Sequence, residues 1–244
     1  MNNEWFANWF DSKYYHILYQ HRSNLEATDF VYNCIKIFDP KPNETLLDLA
    51  CGKGRHSIAF AKRGLDVTGV DLSAQSIDYA KQFEQENLHF FVHDMRQTFR
   101  LNYYQYICNL FTSFGYFDTL EDNQLAAKSI SMGLKKNGKF LIDFVNKSFA
   151  LKNIENNLYE EIERENIKFI IEREYTNNQF VKNIKIIDNE KTFHFKEKVN
   201  SFTFEEMLHL FENEGLTFLK SFGNYDASEY KQTQSPRMIL LFQK

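Results

Sequence analysis

The sequence predicts an α/β fold: a seven-stranded sheet flanked by helices, with a small antiparallel β insertion after the fifth strand. Three observations lead there. Residues 45–73, TLLDLACGKGRHSIAFAKRGLDVTGVDLS, read as strand, glycine turn, helix, strand and acid, one half of a nucleotide-binding βαβ unit. Apolar strand segments then alternate with helical stretches through residue 146. Between 158 and 199 the texture changes to runs rich in Ile, Phe, Val and Tyr, broken by polar turns.

The βαβ unit comes first because it carries the chemistry. Leu46, Leu47 and Leu49 form a buried strand that breaks at Cys51-Gly52-Lys53-Gly54. Gly52 and Gly54 lack a Cβ, so the chain can turn sharply and let a ligand lie against its backbone. The helix that follows holds Ile58, Ala59, Phe60 and Ala61 and stops at Gly64. Its first amides are unsatisfied and favour an anionic group such as a carboxylate. Asp71 ends the next strand 17 residues after Gly54, close to the ~20 over which such an acid reaches a ribose hydroxyl pair. A dinucleotide fingerprint needs a third glycine at position 57, which is Ser57, and no Walker-type Lys-Ser/Thr pair is present.

Composition sets the limits. The 244 residues suit one large α/β domain, or one with an inserted piece, and the balance of 43% hydrophobic and 25% charged residues is that of a globular chain. The 25 Phe and 13 Tyr predict an aromatic core, with an aromatic pocket as the alternative. Net charge is −4 and no basic stripe appears, which argues against nucleic acid as the main partner. Cys34, Cys51 and Cys108 are scattered and odd in number, so neither disulfides nor a zinc site is expected, and no metal is assigned. No apolar run reaches the ~20 residues of a membrane span and no signal peptide opens the chain, which reads as cytoplasmic and without a membrane partner.

In order along the chain, residues 1–36 read as a helical cap packed on the sheet. Trp5, Phe6, Trp9 and Phe10 make one aromatic face; Tyr15, Leu18, Tyr19 and Arg22 make a second. An arginine beside tyrosines suits either packing or a carboxylate ligand. Pro40 and Pro42 mark a linker into the first strand, and Ser73 caps a helix over 74–86 with Ile77, Ala80 and Phe83 on one side. Strand three is 88–94. Asp94 and Met95 follow, and Arg96 either pairs with a carboxylate such as Asp94 or is a solvated charge. Strand four, 104–111, runs into Thr112-Ser113-Phe114-Gly115-Tyr116-Phe117, a polar and aromatic segment at the edge where open α/β sheets bind ligands. A helix over 121–135, a turn at Asn137-Gly138 and strand five over 139–146 complete this part. Two turns, at Asn177-Asn178 and Asp188-Asn189-Glu190, predict three antiparallel strands in the insertion, exposed on the face of Glu161, Glu163, Arg164, Glu165 and Lys168. Thr203 to Glu206 is a capping box for a helix burying Phe204, Met207, Leu208 and Phe211, followed by strands over 216–222 and 237–243. The domain reading is 1–36 cap, 37–149 with 200–244 main domain, and 150–199 insertion.

Taken together, Asp48, Cys51-Gly52-x-Gly54, then Asp71-Leu72-Ser73 resemble motif I and the ribose acid of class I S-adenosyl-L-methionine (SAM) methyltransferases, whose sheet is Rossmann-like. The run SKYYHILYQHR resembles the leading helix of glycine N-methyltransferase-like enzymes, and the β insertion resembles that of glycine and aminosugar N-methyltransferase-like proteins. The resemblance extends over nearly the whole chain. It implies SAM as cofactor and a small-molecule acceptor at nitrogen or oxygen. It implies that Asp48, Gly52 and Gly54 shape the cofactor turn, that Asp71 binds the ribose, and that Ala50 and Leu72 are further cofactor contacts. Asp94 and Met95 would hold adenine, Tyr19 and Arg22 the methionine end. Asn109, also a cofactor contact, through Tyr116 would face the methyl. Base amine methylation loses its support because Asn109 is followed by Leu110 and Phe111 rather than Pro-Pro-aromatic. If the acceptor is an ammonium, His56, His93 and Tyr116 are local candidates to take its proton, with Tyr116 and His56 taken as the catalytic pair. Arg237 either holds an acidic substrate or pairs on the surface. The insertion either flanks the active site or serves as a homodimer contact or plain structural sheet, readings compatible with one another. The alternative function is a SAM- or SAH-binding regulatory protein without turnover (SAH being S-adenosyl-L-homocysteine). A nicotinamide-dependent oxidoreductase is weaker because of Ser57.

Overall fold

A computed structural model describes residues 5–20 and 24–244. The chain opens with three helices: α1 (Trp5–Phe10), α2 (Lys13–Leu18) and α3 (Asn24–Phe38). The glycine-turn unit follows as β1 (Thr45–Leu49), α4 (Arg55–Ala61) and β2 (Asp66–Asp71). Next come α5 (Ala74–Ala80), β3 (Leu88–Val92), β4 (Tyr104–Asn109), α6 (Leu120–Gly133), β5 (Leu134–Val145) and α7 (Lys147–Ile154). The insertion is β6 (Tyr159–Arg164), β7 (Ile167–Thr176), β8 (Gln179–Asp188) and β9 (Lys191–Asn200). It returns through α8 (Phe204–Glu212) to β10 (Thr217–Phe222) and β11 (Arg237–Gln243).

The main sheet runs β10-β11-β5-β4-β1-β2-β3. β1 pairs in parallel with both β2 and β4, and β11 alone runs against its neighbours β5 and β10. The order reverses between β1 and β4. Their carboxyl ends therefore leave a crevice, which is where open sheets of this kind take ligands. Period-2 alternation sends Leu47 and Leu49 to one face and Leu46 to the other, so two cores form. One holds α6 and α8 through Ile130, Met207 and Phe211; the other holds α3, α4 and α5 through Phe30, Phe60 and Ile77.

Several elements differ from the reading of the sequence. The insertion has four strands rather than three, because Glu165 (φ 53°) and Asn166 (φ 61°) make a third tight hairpin turn. The charge alternation around that turn reads as one exposed strand. The helix after Ser73 ends at Ala80 and tightens into a 3₁₀ turn over Lys81–Phe83, which leaves Phe83 exposed rather than aligned with the buried Ile77 and Ala80. Within the cap, α3 packs on the main sheet as expected, whereas Trp9, Tyr14 and Leu18 of α1 and α2 are buried against Ile167, Phe169, Ile171, Ile184 and Ile186 of the insertion. Helix α7 was not foreseen; Asn146 caps it, its side chain accepting from the Ser148 amide. Cys34, Cys51 and Cys108 are buried free thiols. Among the described residues no helix is long and apolar enough to cross a membrane.

Candidate functional site

The end of β1 is shaped by left-handed backbone. Ala50 (φ 63°), Gly52 (φ 54°) and Gly54 (φ 81°) turn the chain in five residues and start α4. A Cβ on Gly54 would lie 2.6 Å from the Phe90 ring, so this position accepts only glycine. A Cβ on Gly52 would meet nothing within 4 Å, because Gly52 faces an open cleft. Behind the turn, Asp48 is 1% exposed and its carboxylate accepts from the Ser57 hydroxyl at 2.5 Å. Burial pushes its pKa up to about 6, against the pull of that hydrogen bond.

Asp71 stands opposite the turn. One carboxylate oxygen accepts the Gly52 amide at 2.8 Å and the other the Ser73 amide at 2.8 Å. Burial raises its pKa, and these backbone donors work against that rise. The two amides fix the carboxylate in the cleft, and each oxygen keeps acceptor capacity for a further hydroxyl. This is the arrangement a ribose diol requires, and with the open face of Gly52 it fits the adenosyl group of SAM.

The cleft over these residues has a volume of about 1150 Å³, and Ala50, Gly52, Asp71, Leu72, Asp94 and Met95 all line it. Asp94 is already engaged: the Arg96 guanidinium forks onto both of its oxygens at 2.6–3.1 Å and the Arg96 amide adds a bond at 2.9 Å. Burial works to raise the Asp94 pKa, but the Arg96 contacts outweigh it and hold the carboxyl low. Arg96 also reaches Asp122 and lies over the Phe117 ring, so it is a bracket between loop and helix rather than a solvated charge. Asn109 is fully buried. Its Nδ2 donates to the Leu49 carbonyl at 3.0 Å, tying the ends of β4 and β1, while Oδ1 has no partner among the described residues.

His56 lines the cleft from α4, packed between the rings of Phe30 and Phe111. Burial drives its pKa well below the ordinary range, so the ring is neutral, and its Nε2 is buried without a partner. His93 lies on the rim with Nε2 against the Gln97 carbonyl at 2.7 Å. Tyr116 donates its hydroxyl to the Thr112 carbonyl at 2.6 Å, and its ring packs on Phe10 and Trp5. Arg22 lies outside the described residues.

A second cavity of about 810 Å³ opens between the loop after β4, α7 and the insertion. Phe10, Tyr15, Tyr19, Phe111 and Tyr116 line both cavities and make up the aromatic boundary, or neck, that the two share. On its far wall stands Glu197 on β9, which nothing in the residue pattern singled out. It is 7% exposed, and Oε1 accepts from Trp9 Nε1 and the Tyr19 hydroxyl, both at 2.7 Å, while Lys182 pairs with Oε2 at 3.0 Å. Burial would raise the Glu197 pKa, but Lys182, Trp9 and Tyr19 together hold it below the usual carboxylate range. Tyr19 is thereby anchored to the insertion, its hydroxyl also accepting from Lys182 at 2.9 Å. Asp143, also unforeseen, is a fully buried acid in the apolar strand β5 and binds Arg237 at 2.7 Å. A lone acid inside an apolar strand was the available signal, the same one that singled out Asp48.

Comparisons with known proteins agree with this geometry. Residues 40–215, well over half of the chain, match the family model described as a methyltransferase domain. The chain is 32% identical over 120 residues to a dTDP-3-amino-3,4,6-trideoxy-α-D-glucopyranose N,N-dimethyltransferase of Streptomyces venezuelae, covering 48% of each chain. It spans just under half the length of the curated relatives it matches. The crystal structure of a SAM-dependent methyltransferase from Clostridium acetobutylicum superposes with a TM-score of 0.78 at 18% identity, covering 94% of this chain and 95% of that one. SAM-bound CalS10, an amino pentose methyltransferase from Micromonospora echinaspora, gives 0.67 at 17% identity over 95% and 97%. With the sheet order, the glycine turn and the paired carboxylate of Asp71 on the same edge, the chain belongs to the methyltransferase-domain family and has the class I SAM-dependent methyltransferase fold.

Proposed function

We propose that this chain transfers the methyl group of SAM to an amine of a small molecule held in the second cavity. The observation that carries this reading is the aromatic neck: one cavity fits an adenosyl cofactor, the other is lined by the insertion, and five aromatic side chains line both. The amine is suggested by the aminosugar relative.

In this reading SAM, when bound, supplies a methyl group already activated on a sulfonium. The chain's work is placement. Gly52 and Gly54 let the cofactor lie against the backbone, Asp71 takes the ribose hydroxyls, and Leu72 and Met95 flank the adenine. Asp94 offers little capacity for an adenine amine while Arg96 holds it. The neck orients donor and acceptor in line and excludes water, and alignment of this kind is worth about 7–11 kcal/mol. Phe10, Tyr15 and Tyr116 present ring faces to the transferring cationic centre, which favours it by cation–π attraction. His56 is too weak a base in its buried position to hold a proton at neutral pH, and serves as wall to the Phe111 ring. Tyr116 stands at the neck and is the better placed of the two to touch the acceptor.

Calorimetric titration with SAM, SAH and NADH tests the cofactor, and a tritiated-methyl screen over primary and secondary amines, including aminated sugar nucleotides, tests the acceptor. Micromolar SAM and SAH binding, no NADH binding, and label on an amine is the expected result. Binding without label on any amine would leave a SAM-binding regulatory protein in its place.

A further inference from the structure

The loop after β4 carries a backbone conformation that its own residues disfavour. Phe111 (φ 60°) and Thr112 (φ 57°) are consecutive left-handed residues, and neither is Gly, Asn or Asp. A β-branched residue in this region is a genuine outlier, which persists only where its surroundings over-determine it.

The surroundings here are two charged side chains from neighbouring strands. Asp143, fully buried on β5, accepts the Phe111 amide on Oδ2 at 2.8 Å, and its main-chain oxygen accepts the Thr112 amide at 3.0 Å. Arg237, the first residue of β11, donates from Nε to Asp143 Oδ1 at 2.7 Å and from Nη2 to Thr112 Oγ1 at 2.7 Å. Ile239 sits opposite Asp143 in the antiparallel pairing, so Arg237 shares its sheet face and reaches Asp143 diagonally. Asp143 and Arg237 neutralise each other, as buried charges must.

What the loop delivers is the neck. Phe111 stacks on Tyr225 with ring centres 5.0 Å apart, and the Arg55 guanidinium covers it at 4.1 Å. The Thr112 carbonyl receives the Tyr116 hydroxyl at 2.6 Å, which sets the Tyr116 ring against Phe10 and Trp5. Two of the five neck residues thus owe their positions to one ion pair.

We propose that Asp143 and Arg237 are positioning residues for methyl transfer, holding the 111–116 loop in its left-handed form and so keeping Phe111 and Tyr116 aligned across the neck. The proposal rests on the reading of the neck as the point of transfer. Neither Asp143 nor Arg237 lines the cofactor cleft or bonds to the glycine turn or Asp71, so the main anchors of the cofactor stay in place without them.

The test compares Arg237→Gln, Thr112→Val, Thr112→Gly and the double variant Arg237→Gln with Thr112→Gly, on the full chain. SAH affinity by calorimetry is expected to stay within about threefold of wild type in all four. Hydrogen exchange at the Phe111 and Thr112 amides should accelerate by about tenfold or more in Arg237→Gln and in Thr112→Val, which removes the hydroxyl that Arg237 holds. With an amine taken from the screen, kcat should fall about thirtyfold while KM moves less than about threefold. Glycine adopts the left-handed form freely, so the double variant should recover about tenfold of the lost kcat. Unchanged loop exchange with a raised KM would overturn the proposal and make Arg237 an acceptor-binding group. Failure of Thr112→Gly to rescue would overturn it as well. Loss of SAH binding by wild type itself would instead sink the cofactor reading, and the two failures are therefore distinct. If Arg237→Gln does not fold, Thr112→Val carries the same comparison.

Discussion

Replacing Asp48 with Asn should stabilise the protein at neutral pH and leave its stability unchanged in acid. Asp48 is 1% exposed behind the glycine turn. Burial lifts its pKa from 3.8 to about 6, despite the Ser57 hydrogen bond, and the neighbouring Asp71 adds to the rise. Above pH 6 the carboxylate is ionised in both folded and unfolded chains, and the folded state carries the cost of the buried charge. A shift of about two units corresponds to about 3 kcal/mol. As pH falls towards 3.8 the folded group is already protonated and the unfolded one increasingly so, so that the difference dwindles to a small remainder. The raised pKa thus favours folding fully below 3.8, and that advantage is lost as pH rises through about 6. Asn has the shape of the protonated acid at every pH. The variant should therefore be more stable by about 3 kcal/mol at pH 8, which raises the melting temperature by about 6–12 °C in a chain of this size. The gap should dwindle to a small remainder at pH 4. Thermal and urea unfolding of the ligand-free protein at half-unit steps between pH 4 and 8 measures this. An Asn variant less stable at pH 8, or a difference that does not change with pH, would refute the assignment of a desolvated charge.

Four further outcomes follow from the site. Asp71→Ala removes the acceptor proposed for two ribose hydroxyls and releases the Gly52 and Ser73 amides; with charged hydrogen bonds of ~1.5–3 kcal/mol each, SAH binding should weaken by at least about 100-fold, and affinity within threefold of wild type would exclude the ribose role. Gly54→Ala sets a Cβ at 2.6 Å from the Phe90 ring in a left-handed position, so it should destabilise by about 2–5 kcal/mol. Gly52→Ala faces open space, so it should cost only about 1–2 kcal/mol in unfolding experiments yet weaken SAH binding by placing a methyl group in the cleft. Lys182→Met leaves Glu197 buried without its counter-charge; the loss should be about 2–3 kcal/mol, below the ~3–5 of a fully buried pair because Lys182 is one-third exposed. Adding Glu197→Gln should restore most of it, and equal losses in single and double variants would show that the pair is not coupled.

The cofactor half was legible because its physics is local. A glycine at φ 81° beside a ring, an acid at a strand end and a run of buried leucines each leave a mark within a few residues. The same local reasoning found the capping box of Thr203 and Glu206, which forms in both directions. The acceptor half was not legible, because its groups meet from far apart. Glu197 joins Trp9 and Tyr19 across 188 and 178 positions, and Arg237 reaches Asp143 across 94. In sequence Glu197 is one charge among the alternating residues of β9. Only the pairing of β8 with β9 and the docking of α1 turn it inward. Phe111 and Thr112 were expected at the ligand edge, but their backbone form was not readable, since a left-handed turn without glycine carries no composition signal.

The N-terminal cap is the element that relates the two halves. In the turn between α1 and α2, Asp11 accepts the Ser73 hydroxyl at 2.7 Å and the Gln75 amide at 3.0 Å, two and four residues past the ribose acid. Trp9 and Tyr19, on either side of that turn, bind Glu197 of the insertion. One short segment is thus fixed to the cofactor edge of the sheet and to the acceptor wall together. Between those fixings it contributes Phe10, Tyr15 and Tyr19, three of the five residues of the neck. Transfer in line requires donor and acceptor to be placed to within a fraction of an ångström, and separate elements for each would let their errors add. A cap anchored to both sides ties the two placements to one rigid body. The remaining two neck residues, Phe111 and Tyr116, come from the loop that Asp143 and Arg237 hold, so the neck is fixed from the sheet as well as from above it.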